Sequence, residues 1–179
     1  MVLIRALKTS EIPEAMGLKI NCWTEELAGI ANNNLILEEE IDFWSTWVSR
    51  GKTYNDIRLL IGAFENGELL GIAASNIAKY DDIPANGIEL NLLAVKPKYR
   101  GKGVSLRLIL YILNFYESLG AKKAVIYSHH YAPSNTFYPK FGAVILRKEL
   151  QEEGKLEVDV FIANIHKFKW MLEKSLLKY

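Results

Sequence analysis

The sequence predicts a mixed α/β fold: a sheet of about seven strands with helices on both of its faces. Three observations carry this. Half of the 179 residues are hydrophobic and a quarter are charged, enough to bury a full core. Strand-like and helix-like apolar stretches follow one another in the order β-α-α-β-β-β-α-β-α-β-β. The sequence shows no internal repeat, low-complexity tract or Pro/Ser-rich linker, so residues 1–179 read as a single domain.

Each element has its own signal. "VLIRAL" alternates around Arg5 and reads as the first strand. Ser10, with Pro13 shortly after it, marks the start of a helix through Met16, Leu18, Ile20 and Trp23, which a loop at Gly29 closes. "LEEEIDFWSTWVSR" places Ile41, Trp44, Trp47 and Val48 at helical spacing. In "IRLLIGAFENGELLGIAASNIA", Asn66-Gly67 between two apolar runs is a hairpin signal. "DDIPANG" is a turn, "IELNLLAV" a strand, and "VSLRLILYILNFYESLG" a helix closed by Gly120. "KKAVIYS" is a strand, "PSNTFYPKFG" holds a short helix, and "AVILRKEL" and "KLEVDVFIANI" form a final antiparallel pair. The last residues, "HKFKWMLEKSLLKY", leave room for a terminal helix.

Composition excludes several functions. A net charge of +1 is too small for a nucleic-acid-binding face, so any basic patch is local. The single cysteine, Cys22, allows no internal disulfide and fits a reducing compartment. The N-terminal stretch has no signal-peptide pattern, and no apolar run approaches the length of a membrane span. A cytoplasmic protein without membrane or nucleic-acid partners is expected.

The stretch "LAVKPKYRGKGVSLRL" is unlike an ordinary connection. It sets four cationic residues and two glycines between a strand and an apolar helix. Gly101 and Gly103 can adopt positive φ and admit a ligand close to the main chain. The helix beginning after them has N–H groups without intrahelical partners, and its dipole favours an anion there. Arg100 and Lys102 add charge-assisted contacts. A pyrophosphate fits this turn, although a surface loop carrying incidental lysines would read the same way. The Walker A and dinucleotide-binding glycine spacings are both absent.

Its context adds more. "LLAVKPKYR" before the turn, "RGKGVS" in it and "NTFYPKFGAVI" beyond it together resemble the GNAT superfamily of acyl-CoA-dependent N-acyltransferases. The family's cofactor motif, Gln/Arg-x-x-Gly-x-Gly/Ala, is met by Arg100, Gly101, Lys102, Gly103, Val104 and Ser105, with serine at the last position. Ala143 stands where the family usually has phenylalanine. The resemblance implies a GNAT fold, with a mostly antiparallel sheet splayed between strands four and five. It implies acetyl-CoA as cosubstrate, its phosphates on residues 100–105 and its pantetheine arm beside Leu93, Ala94 and Val95, with Asn135 in contact. The implied reaction is direct acetyl transfer to a primary amine of a small molecule or peptide.

Such chemistry needs a proton acceptor, because only about 0.04% of an ordinary primary amine is neutral at pH 7. The resemblance gives that role to Glu89; the bland alternative is a strand-edge glutamate paired with a lysine. Asn91, two residues on, would share its side of the strand and help hold a water. The resemblance makes Tyr138 the proton donor to the leaving thiolate; otherwise its ring merely packs beneath the cofactor. A backbone N–H near Leu93 or Val95 would hold the oxyanion. "KINCWTEELAGI" through "DFWSTWV" also resembles the N-terminal half of polyamine and small-amine acetyltransferases of the family, with Glu26-Leu27 where Thr-Tyr is expected. A polyamine-like acceptor would fit. A non-catalytic acyl-CoA-binding module of the same fold is the alternative.

Other conspicuous residues read as structural. His129-His130 have no third ligand at metal spacing, so no metal is expected. Cys22, Trp44 and Trp47 read as core, as does Trp23, unless one of the tryptophans lines the acceptor pocket. Glu38 to Glu40 read as a solvated helix start; with Asp81-Asp82 they would attract a cationic acceptor. The "VSLRLILYILNFYESL" helix is apolar on two faces, one for the sheet and one for the terminal helix or a second subunit. A homodimer is the expectation.

Overall fold

The computed structural model describes residues 1–79, 86–151 and 154–179. Asp81, Asp82 and most of the expected "DDIPANG" turn lie outside them. Seven strands, β1 (Leu3–Ala6), β2 (Leu59–Glu65), β3 (Glu68–Ile77), β4 (Gly87–Val95), β5 (Lys123–His129), β6 (Val144–Gln151) and β7 (Leu156–Asn164), form one sheet in the order β1-β2-β3-β4-β5-β7-β6. The helices are α1 (Ile12–Leu27), α2 (Leu37–Arg50), α3 (Val104–Ser118), the single turn α4 (Ser134–Phe137) and α5 (Ile165–Leu176).

Local chemistry explains most boundaries. Asn66 and Gly67 take φ of 50° and 83°, the left-handed pair that lets a two-residue turn follow the twist of β2 and β3. In α5, the Asn164 side chain accepts the Lys167 N–H at 3.0 Å and caps the helix.

Two apolar layers enclose the sheet. Ile88, Leu90 and Val95 of β4 meet α3 and α5, whereas Leu92 and Ala94 meet α1 and α2. Each fully buried leucine or isoleucine in these layers contributes about 1.5–3 kcal/mol. The second apolar face of α3 is covered from within the chain: Leu108 and Ile112 share one cluster with Ile165, Phe168 and Leu172 of α5. That surface therefore gives no argument for a second subunit.

Two features of the sheet place the site. Leu90 pairs with Ser75 but Leu92 pairs with Ala74, so Asn91 is an extra residue, a β-bulge. Every other pair is antiparallel, but β4 and β5 run parallel and stay together only from Gly87↔Lys123 to Leu90↔Ile126. Beyond them the two strands part, leaving one edge of Asn91 to Val95 without a strand partner.

Candidate active site

A cleft of ≈ 820 Å³ fills this splay. Leu90 to Val95 form one wall, and Tyr127 to His129 the other. The last turns of α1 cross above it. The Cys22 thiol lies 3.7 Å from the Val95 carbonyl oxygen on the β4 side. Trp23 packs edge-on against His129 at 4.6 Å on the β5 side. Ser134, Phe137 and Tyr138 close the far end, while Ser175 and Tyr179 flank the mouth near the glycine turn.

The turn has the geometry of an anion cradle. Gly101 and Gly103 have φ of 73° and 75°. No side chain caps α3, whose first main-chain bond back to the turn is Arg107 N–H to Gly103 O at 3.1 Å. The N–H groups of Val104, Ser105 and Leu106 thus start the helix unclaimed and border the cleft. A Cβ on Gly101 would meet open space, whereas one on Gly103 would press against the Tyr179 ring at 3.2 Å. An open edge of β4, a left-handed glycine turn and an uncapped helix fit an elongated ligand with a pyrophosphate at one end.

Among the expected ligand residues, Leu93, Ala94, Val95, Arg100, Gly101, Gly103, Val104 and Ser105 line the cleft. Arg100 arrives already engaged. Its Nε donates to Val95 O at 3.0 Å, while its Nη2 reaches Cys22 Sγ at 3.4 Å and Glu25 Oε2 at 2.6 Å. Burial pushes the Cys22 thiol up, with the adjacent guanidinium opposing the shift. Lys102 rests over the Tyr99 ring, 5.4 Å from its centre, and is not part of the lining. Asn135 lies off the cleft as well. Its amide donates to the His130 carbonyl at 3.0 Å and to Asp159, and its neighbour Ser134 is the residue that faces the cavity.

The two expected catalytic residues have different surroundings. Tyr138 is 5% exposed, its ring set against Phe137 and Phe161, and it lines the cleft. Burial, reinforced by the charge of Glu26, pushes its hydroxyl well above the usual phenol range, so it carries its proton at neutral pH. Glu89 sits in the part of β4 still paired to β5, opposite Val125, and is not in the lining. The bulge interrupts the alternation that was to set Asn91 beside it; Asn91 is exposed and borders the cleft.

Several contacts could not be read from spacing. Glu40 is not a solvated member of an acidic run: it pairs with Lys19 at 2.5 Å and accepts the Trp44 indole N–H at 2.9 Å, because position 40 shares a helix face with Trp44. His130 does have carboxylate neighbours. Pairing of β5 with β7 brings Glu157 and Asp159 to it, with potential ligand atoms within 4.8 Å of one another. Lys148 Nζ, 2.8 Å from Glu157 and 3.9 Å from Asp159, supplies the counter-charge there, and the group reads as an ion-pair network. Trp23 departs from the core reading: it is half-buried on the cleft wall, whereas Trp44 and Trp47 are core.

Comparison with known proteins agrees with this architecture. The model of the acetyltransferase (GNAT) family matches residues 23–143, and the chain belongs to that family. No curated protein sequence matches it significantly. Among solved structures it is similar to the PaiA N-acetyltransferase of Thermoplasma acidophilum in complex with coenzyme A, with TM-score 0.66 and 22% identity over 92% of this chain and 99% of that one. It is similar also to YncA of Salmonella typhimurium with its cofactor acetyl-CoA, with TM-score 0.69 and 15% identity over 92% and 94% of the two chains. The ribosomal-protein-S18-alanine N-acetyltransferase of Escherichia coli has TM-score 0.64 and 16% identity over the same shares. At these identities the likeness is one of fold. No helix among the described residues is long and apolar enough to cross a membrane.

Proposed function

We propose that the protein is an acetyl-CoA-dependent N-acetyltransferase acting on a primary amine of a small molecule or peptide. One observation carries the reading: the parting of β4 and β5 after Leu90 and Ile126 opens a cleft that runs straight to an uncapped helix behind Gly101 and Gly103. The main chain of Leu93 to Val95 receives the pantetheine arm as an added strand, and the turn with the start of α3 receives the pyrophosphate. Arg100 leaves Glu25 for a phosphate oxygen, trading one charge-assisted bond for another.

Acetyl-CoA supplies a thioester carbonyl, and the chain supplies proton transfer and position. Tyr138 donates its hydroxyl proton to the departing thiolate. A main-chain N–H near Leu93 or Val95 stabilises the oxyanion. Glu89, the carboxylate the sequence suggests for the amine proton, stands opposite Val125 outside the cleft lining, so the role passes to a group on the cleft wall. We place the reaction in the cytoplasm, where Cys22 stays reduced.

The test is thiol release from acetyl-CoA across a panel of alkylamines and peptides with free amino termini, beside calorimetric binding of coenzyme A. Binding with amine-dependent thiol release is the expected result. Binding without release for any amine would instead support a module that holds acyl-CoA without turnover.

A further inference from the structure

Two carboxylates close α1 at the wrong end. Glu25 and Glu26 occupy its last turn, where the helix dipole is negative and no basic residue compensates. By contrast, the three glutamates of α2 stand in its first turn, where the dipole favours them. Glu25 is accounted for by its 2.6 Å pair with Arg100. Glu26 is not: its side chain lines the cleft half-buried and makes no hydrogen bond or ion pair with the described residues. Among the described residues they are the two carboxylates on the cleft wall, and Glu26 is the unpaired one.

The surroundings of Glu26 suit a cation. Burial pushes its carboxyl above the usual range, with Glu25 adding to the shift and Arg100 opposing it. Tyr138 lines the same cleft, and the charge of Glu26 adds to the upward shift of its hydroxyl. Trp23 and Tyr127 line the same cavity, where aromatic rings suit a cation. His129 adds no positive charge, because its burial lowers the imidazole pKa.

Resting on the N-acetyltransferase reading, we propose that Glu26 is the carboxylate that receives the acceptor and takes its proton, so the acceptor is an alkylamine that is cationic in solution. The ammonium gives one proton to Glu26, and the freed lone pair attacks the thioester carbonyl. The C–S bond breaks as the amide C–N bond is completed, and the thiolate takes the Tyr138 proton. The second proton leaving the nitrogen restores the phenol, and Glu26 passes its own to water. Each amide formed releases one proton in all. Glu89, off the cleft, has no part in this transfer.

The charged and titratable groups coupled to Glu26 are Cys22 and Glu25 on α1, Arg100 before α3 and Tyr138 after α4. The other ionisable residues of the lining are Lys19 on α1, Tyr99 before α3, Tyr127, His129 and Tyr131 on the β5 side, Lys140 and the terminal Tyr179. The test compares wild type, Glu26→Gln and Glu89→Gln, with 1,4-diaminobutane and lysine amide as acceptors from pH 6.5 to 9.5. Coenzyme A affinity is measured alongside by calorimetry. In Glu26→Gln, kcat/KM should fall about 10²-fold or more near pH 7 and recover as the amine becomes neutral. Coenzyme A affinity should stay within a few-fold of wild type, and Glu89→Gln should lose little. A deficit equal at pH 7 and pH 9.5, a loss confined to coenzyme A binding, or a larger loss in Glu89→Gln would each overturn the assignment. A wild type that binds coenzyme A yet acetylates neither amine nor any other in the panel would overturn the transferase reading beneath it.

Discussion

Gly87 to Leu90 and Asn91 to Val95 are consecutive halves of one strand with unlike neighbours. The first half is hydrogen-bonded to strands on both sides, β3 and β5, and its Ile88 and Leu90 side chains join the core. The second half keeps β3 but loses β5, and a bulge at Asn91 turns its side chains over as the edge opens. A carboxylate in the closed half is held by the sheet, whereas the open half offers main-chain donors and acceptors to something that is not protein. Glu89 belongs to the first half. Leu93 to Val95 belong to the second, and Tyr138, Arg100 and Glu26 surround that second half.

The contrast can be broken at the open half, and the largest effect should come there. Tyr138→Phe keeps the ring against Phe161 and removes only the proton, so kcat should fall about 10²–10⁴-fold with coenzyme A affinity nearly unchanged. Steady-state kinetics with matched calorimetry reads both, and near-normal turnover would make the tyrosine a packing residue. The raised hydroxyl pKa adds a pH expectation: Tyr138 stays protonated through neutral and mildly basic pH, so it contributes no titration step there.

A smaller effect is expected at the mouth. Arg100→Glu removes a charge-assisted phosphate contact worth about 1.5–3 kcal/mol, so coenzyme A affinity should weaken by about 10- to 100-fold or somewhat more, since like charge is added. The new carboxylate would also face Glu25. Circular dichroism should still report the folded sheet, because Arg100 is half exposed and lies outside every strand and helix.

The smallest effect sharpens the comparison through stability. A carboxyl whose pKa is raised on folding binds its proton more tightly in the folded state. Ionising it therefore costs stability as pH rises from the ordinary carboxylate range through the raised value. Glu26→Gln should raise Tm modestly at pH 7 and leave it unchanged at pH 4, where the carboxyl is neutral folded and largely neutral unfolded. Thermal melts at the two pH values check this. A loss of stability at pH 7 would mean that Glu26 has a structural partner.

The features legible in the sequence were those set by neighbours in the chain. Asn66-Gly67 specified its turn because few residue pairs take two positive φ values without strain. The limits of α2 followed from acidic residues at its start and the helical spacing of Trp44 and Trp47. Gly101 and Gly103 marked the turn because closely spaced left-handed glycines before an apolar helix have few other uses. What stayed hidden depends on residues far apart. The carboxylates beside His130 come from a strand paired across the sheet, and Asn135 turns to one of them, Asp159. The bulge at Asn91 has no marker in its own residues, and it defeats the period-two rule that joined Asn91 to Glu89. Glu26 did leave a trace: acidic residues closing a helix run against its dipole, a local cost that invites a search for its use.

The most direct test of the account is a crystal structure of the protein with coenzyme A. The pantetheine should lie along the open edge of Leu93 to Val95, bonded to their main chain. The pyrophosphate should sit about 2.7–3.2 Å from the N–H groups of Val104, Ser105 and Leu106, with Arg100 released from Glu25. Coenzyme A bound elsewhere, with the edge of β4 still open and the Gly101–Gly103 turn bare, would contradict it.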